Sequence, residues 1–394
     1  MEPPLYSFFL YIAEFLPRAD ITVHFVQIAG FLLSAIILYR ILSHYMRKEI
    51  ALIVASLFLL VPANFIYTSN LLAEGLSILF ISIFIYLSYQ IIEKKQTVYI
   101  GLLLMFSSLM ILERYNLIVY WGAAFLIFLF LPKKHTRDYF ALFVSVLIIM
   151  IWVFTNHAWN GSWGLSNTSG KYLWNRIAWK NELLPSENNQ DLILLKQALG
   201  NDMNLKQPWW ILEPYLLKSL NNSETNSSKM LEKVAVAALM EHPVEFVRVV
   251  PEYFFTAHDN RIPFHDGLYS YGRYMDGNCR SLGKIDFCKP IIPWEKAKSV
   301  WDGIIEFSEY YYTHVSFWWN YSLLFPAIVI GLIRKNSFVR FLIGIYLLSV
   351  LFIVFTGEPG TRYVYPFLPL KILIIFTVFI PLLQPLWRSL QRHI

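Results

Sequence analysis

Chemistry-bearing and helix-breaking residues meet in one short run, TGEPGTRYVYPFLPLK at 356–371. Gly357, Pro359 and Gly360 interrupt any helix, and Pro366 and Pro369 delay a regular restart. The run is therefore expected to be irregular and to present Glu358, Arg362 and Tyr363. Arg362 suits a phosphate, because its planar fork gives two parallel charged hydrogen bonds. Lys371 lies about 14 Å further along if the stretch is helical. It either snorkels to the surface or adds a second cation to the same anion site.

Two further ionisable positions fall near the ends of apolar stretches, where charge is costly and tends to be functional. Glu74, in PANFIYTSNLLAEGLSILF, opens a helix after a tight turn. It either complements that helix N-terminus or lines an outward-facing cavity. Arg114, in ILERYNL, sits beside Glu113 and reads as a snorkelling residue, a Glu–Arg pair or a helper cation for phosphate. The run HDNRIPFHD offers His258, Asp259 and His265, but histidines seven apart match no standard zinc spacing. A satisfied polar loop competes there with a catalytic or divalent-cation role. Cys279 and Cys288 enclose RSLGKIDF and are expected to form a disulfide in an oxidising compartment.

The elements that must position these groups are set by composition. The 394 residues are 56% hydrophobic and only 15% charged, with mean hydropathy +0.47. A water-soluble chain carries about a quarter charged residues, so the apolar excess must face lipid. Stretches able to cross a bilayer lie near 22–42, 49–67, 71–91, 97–112, 115–131, 139–155, 317–333, 338–356 and 365–387. Residues 5–16 are too short to cross and read as an interfacial or re-entrant helix. The fold class expected is thus an all-α multi-pass membrane protein with about nine spanning helices and one mostly helical outer segment. Its divisions are an N-terminal membrane domain at 1–155, the outer segment at 156–316 and a C-terminal membrane domain at 317–394.

Lys and Arg in short loops fix the orientation. Arg40, Arg47, Lys48, Lys94, Lys95, Lys133, Lys134, Arg137, Arg334, Lys335, Arg340, Arg388 and Arg392 fall on one side. The short loops opposite hold only Arg18, Arg114 and Arg362. The basic side is therefore cytoplasmic and 156–316 is outside. That segment carries 16 Lys plus Arg and 18 Asp plus Glu, so the net +6 of the chain divides into −2 there and +8 around the spans. The basic balance is a topology signal, and a nucleic-acid partner is excluded. Within the segment, 229–256 is the best amphipathic candidate, interrupted at Pro243 and Pro251. Eight of the thirteen Trp lie in this segment. They serve as interfacial anchors and domain core, or stack on sugar or polyprenyl groups.

Several runs together resemble glycosyltransferases of the C superfamily, the polyprenyl-phosphate-sugar enzymes that include protein O-mannosyltransferases and the lipid A aminoarabinose transferase. PPLYSFFLYIAEFL at 3–16 is similar to their "YPPL" stretch and interfacial helix, and VHFVQIAGFLLSAIILYRIL at 23–42 to the span that follows. PANFIYTSNLLAEGLSILF at 62–80 is similar to their Pro-to-Glu turn, and EPGTRYVYPFLPL at 358–370 to their acidic "RY..P..P" turn. MEHPVEFVRVVPEYFF looks like the interfacial helix of bacterial members. The family places a span and a loop bearing its catalytic acid before this point. Met1 falls where that loop should end, so the resemblance implies a truncated start or a degenerate, inactive relative. Asp20 does not match the family base.

The resemblance implies an integral membrane enzyme, in a bacterial plasma membrane rather than the endoplasmic reticulum. It would move a sugar with inversion from a polyprenyl-phosphate donor to a glycan, lipid or protein acceptor outside. Arg362 takes the phosphate role, with Tyr363, Lys371 and Arg114 as helpers; Glu74 and Glu358 are the candidate acids for an unassigned base. No cofactor is certain, and a divalent cation stays open. The alternatives are a transporter or lipid flippase, and an envelope polysaccharide polymerase. The disulfide gives a direct expectation. The unreduced, denatured chain should take up no maleimide, and two labels should appear after reduction.

Overall fold

The computed structural model describes residues 4–16, 19–61, 74–166, 168–200, 203–221, 223–258, 318–356 and 365–390. The run 357–364, both cysteines, Asp259 and His265 lie outside the described residues.

The described chain is all α. A short helix, α1 (Pro4–Glu14), precedes α2 (Ala19–Tyr45) and α3 (Lys48–Leu59). Then come α4 (Glu74–Ile92), α5 (Ile100–Glu113), α6 (Ile118–Phe130) and α7 (Thr136–Asn160). Beyond the long segment lie α13 (Phe325–Ile333), α14 (Ser337–Thr356) and α15 (Leu368–Leu390). Among the described residues, the stretches Ile21–Tyr45, Gly75–Ile92, Thr136–Asn160 and Ser337–Phe355 are long and apolar enough to cross a membrane. Thr97–Glu113, Tyr115–Phe130, Trp319–Ile333 and Leu368–Leu383 are shorter apolar helices. Helices are the expected solution in lipid, where each backbone N–H and C=O needs a partner within its own segment.

The helices before and after the segment share one apolar core. It runs from Phe31, Leu38 and Phe58 through Phe84, Leu104 and Tyr120 to Phe338, Tyr346 and Leu373. α4 sits deep in the bundle, with 67% of its spanning window buried, against 22% for α7. α7 exposes Phe140, Phe143, Leu147, Met150, Ile151 and Phe154, a stripe at helical spacing suited to lipid. Its inner face is tied by polar contacts. Trp121 Nε1 donates to Ser145 Oγ (2.7 Å), which donates to Leu104 O (3.0 Å).

The bundle therefore has two ends. Loops rich in Lys and Arg lie at one, and α7 delivers the chain to the segment at the other, here called the segment end. The segment holds α8 (Ser169–Trp174), a π-helical stretch (Asn175–Trp179), α9 (Gln190–Leu199), α10 (Trp209–Ser219), α11 (Glu224–Glu241) and α12 (Pro243–His258). It has its own core, built on Trp174, Leu192, Leu195, Leu212, Leu216 and Leu231. The amphipathic run expected across 229–256 resolves into two helices. The break falls at His242, because Pro243 opens α12 where its missing N–H costs nothing, while Pro251 is carried inside the helix. α12 fastens the segment to the bundle through ring contacts of Phe246 with Phe355 (5.7 Å) and Phe254 with Phe325 (6.1 Å).

One close approach within the segment is backbone to backbone. A Cβ on Gly170 would meet Ser228 O at 1.9 Å and Glu232 Cβ at 2.8 Å, so α8 lies on α11 where only glycine fits. Gly170→Ala should separate these helices and cost about 3 kcal/mol. The expected readout is a lower Tm of the detergent-solubilised chain and faster proteolysis between 161 and 258.

Candidate functional site

Buried polar side chains gather where α1, α2, α4 and α5 meet at the segment end. Glu113, the last residue of α5, is wholly buried. Its two carboxylate oxygens lie 2.8 and 2.9 Å from Ser77 Oγ, which donates to them from the first turn of α4. Nearby, Gln27 of α2 is fully buried; its side-chain amide donates to Tyr6 Oη on α1 (3.4 Å), and its aliphatic part covers Gly75 of α4. Four helices thus meet around two polar pairs, α1 with α2 and α4 with α5, which the aliphatic part of Gln27 brings side by side on Gly75. A carboxyl group is tolerated there because the serine hydroxyl replaces part of its lost hydration.

Arg114 follows as the C-terminal cap of α5, with extended backbone (φ −150°, ψ 127°), and its N–H bonds to Met110 O. The extended residue turns the chain directly into the 3₁₀ turn Tyr115–Leu117 and then α6. That turn packs against α14, while the 3₁₀ turn Tyr365–Phe367 packs against α4. Phe367 is buried beside Tyr120 of α6 at 6.4 Å between ring centres. The polar corner before α6 and the start of α15 are therefore held on neighbouring elements.

Lys371, one turn into α15, donates to Asn320 Oδ1 at 3.2 Å. Asn320 is itself buried in a π-helical stretch, Trp318–Leu324, that leads into α13. The lysine thus points at a neutral amide inside the bundle rather than reaching back to the surface. Among the described residues no carboxylate forms an ion pair with it. A cation held this way is available to an anion arriving from the segment end.

Of the other residues singled out in the sequence, Glu74 opens α4, and its side chain lies outside the described residues. Glu358, Arg362 and Tyr363 lie outside them too, as do Asp259, His265 and the side chain of His258, the last residue of α12. Among the described residues no three His, Cys, Asp or Glu side chains are grouped to hold a metal ion. Sequence reasoning passed over Glu113 and Ser77. Glu113 was noticed only as a neighbour of Arg114, and the signal available was a carboxylate closing a 14-residue apolar helix. Ser77 looked like one serine among many.

Residues 1–159 match the family model of dolichyl-phosphate-mannose-protein mannosyltransferases. The match covers α1 to α7 almost completely, and so includes Gln27, Ser77, Glu113 and Arg114, while Lys371 lies beyond it. It suggests a membrane glycosyltransferase of the C type. No curated protein and no solved structure was found to match the chain.

The Ser77–Glu113 contact can be tested directly. Ser77→Ala removes the hydroxyl and leaves a buried carboxylate short of a donor, which costs about 1–3 kcal/mol. Ser77→Thr keeps the donor and should lose much less. Thermal unfolding of the purified chain separates the two.

Proposed function

We propose that the protein transfers a sugar from a polyprenyl-phosphate donor to a hydroxyl of a glycan, lipid or protein acceptor, at the membrane face that carries residues 161–258. The reading rests first on the match of residues 1–159 to a mannosyltransferase family. It is supported by Lys371, a cation turned inward at that end of the bundle and held by a neutral amide.

In this reaction a carboxylate takes the proton of the acceptor hydroxyl. The acceptor oxygen attacks the anomeric carbon as the bond from that carbon to the phosphate oxygen breaks. The phosphate leaves with the bonding pair, and fixed cations stabilise its growing charge. Lys371 and Arg114 fit the cation role, joined by Arg362 and Tyr363 from the Gly- and Pro-rich run. Glu74 and Glu358 remain the candidate acids. Glu113 is better suited to positioning, because Ser77 engages both of its oxygens and the residue is closed to solvent. Fixed at the end of α5, it holds the turn that carries Arg114.

The face follows from the distribution of Lys and Arg, since the short loops at the opposite end carry most of the basic residues outside the segment. The expected location is the plasma membrane of a bacterium.

The test is transfer of radiolabel from polyprenyl-phosphate sugars in membranes containing the protein. Lys371→Met should lower the rate by about a hundredfold, with the protein still present and folded. Absence of transfer by the wild type with every donor tried would overturn the enzyme reading, and an unchanged rate in Lys371→Met would remove the lysine from the site.

A further inference from the structure

Outside the family-matched region, one cation is bound in a way that asks for a ligand. Arg176 lies in the π-helical stretch Asn175–Trp179, where the widened turn is closed by Lys180 N on Asn175 O (3.0 Å). Such turns re-aim a side chain out of the regular helical register. Arg176 is wholly buried. Its Nε donates to Val354 O at 2.8 Å, one of the last carbonyls of α14. Those carbonyls lack partners within the helix and carry its negative end, so a cation there is well placed.

The plane of the guanidinium is fixed as well. The group lies over the Tyr253 ring of α12, 3.3 Å from its centre, with Phe246 at 5.3 Å. Tyr253 Oη donates to Asn181 Oδ1 (2.9 Å), and Asn181 Nδ2 donates back to Arg176 O (2.8 Å). The ring under the guanidinium is thus latched to the backbone of the arginine it supports. With Nε used and the plane held, Nη1 and Nη2 have no hydrogen-bond acceptor among the described residues. Burial pulls the guanidinium down to about 10, with Tyr253 and, more weakly, Glu252 opposing that shift, so it stays charged at neutral pH. Lys180 does not compete for the place; it lies over Trp179.

A buried charged fork with unmet donors is too costly to stand without an acceptor. We propose that Arg176 is the anchor of an oxyanion site at the seam between the segment and α14, taking one phosphate-type group through its two Nη atoms. Depth indicates where the phosphate comes from. The apolar stretch Ser337–Phe355 is 19 residues long, enough to cross about 28 Å of hydrocarbon. Val354 stands at its end, the level of lipid headgroups. A headgroup phosphate and free phosphate share the chemistry the fork recognises, a planar pair of anionic oxygens. The site is independent of sugar transfer: it would tie the segment to the bilayer surface through α14 and α12.

The test uses the full chain and reads binding, not catalysis. In one arm, the detergent-solubilised protein is titrated with inorganic phosphate at constant ionic strength, and Tm is followed. In the other, it is purified from vesicles of phosphatidylcholine with or without phosphatidylglycerol, and native mass spectrometry counts retained lipid. Wild type should saturate with phosphate, retain one phosphatidylglycerol, or both. Arg176→Met should lose whichever is seen, and Arg176→Lys, which keeps the charge without the fork, should bind about tenfold more weakly. Lipid alone would assign a headgroup, and phosphate alone a soluble anion. No saturable binding in either arm, or equal binding by wild type and Arg176→Lys, would overturn the proposal. The lysine variant keeps the test valid should Arg176→Met fail to fold.

Discussion

A polar group in hydrocarbon must find its partner within the protein, and the rest of this molecule follows from that constraint. It makes the described chain helical, and it turns several serines and threonines of the bundle back on their own helices. Ser34, Ser349 and Thr377 each donate to a carbonyl four residues earlier. Side chains that cannot be satisfied this way are moved toward the helix ends. Glu113 closes α5, Arg114 caps it, and Lys371 sits one turn into α15. Asp138, at the opposite end, is absorbed as a helix cap by the backbone N–H of His135 at 2.8 Å. The polar corner at the segment end therefore stands out because its groups answer to one another across helices.

The same constraint shapes the join between bundle and segment. α12 packs Phe246, Tyr253 and Phe254 against α14, α13 and the bundle core. That burial draws Arg176 down to the last carbonyls of α14. A guanidinium is suited to this position because its charge is delocalised and can lie flat on an aromatic ring. Lys171 solves the comparable problem within the segment by the ordinary route, an ion pair with Glu213 beneath the Trp209 ring. Of these two buried cations, one has a carboxylate partner among the described residues and the other does not.

Much of the fold was legible in the sequence because the signal is coarse and redundant. Twenty apolar residues in a row leave few alternatives in lipid, and the expected stretches agree with the helices to within a few residues at most ends. The short helix expected at 5–16, interfacial or re-entrant, is found as α1, which exposes Phe8 and Tyr11. The amphipathic stretch at 229–256 was legible as helix but not as two helices. A proline in a sequence does not say whether it starts a helix, as Pro243 does, or rides within one, as Pro251 does; packing decides. The candidate site was less legible. Lys371 was noticed because lysine is rare in such a stretch, but its partner Asn320, 51 positions away, carries no local mark. Glu113 and Ser77 are 36 positions apart and meet only when α4 lies beside α5.

By itself, the sequence determined that the chain enters a membrane, which end of the bundle gathers the basic loops, and where the helices run. Those properties depend on composition and on spacing along one segment, which lipid reads without reference to the rest of the chain. The tertiary structure alone decided that the helices before and after the long segment share one core. It also decided that Ser77 serves Glu113, and that Lys371 turns inward to Asn320 instead of snorkelling. It placed Arg176 under the end of α14, 178 positions away along the chain. These are pairings between distant segments, and their energies arise from burial and direction, which exist only after the helices have packed.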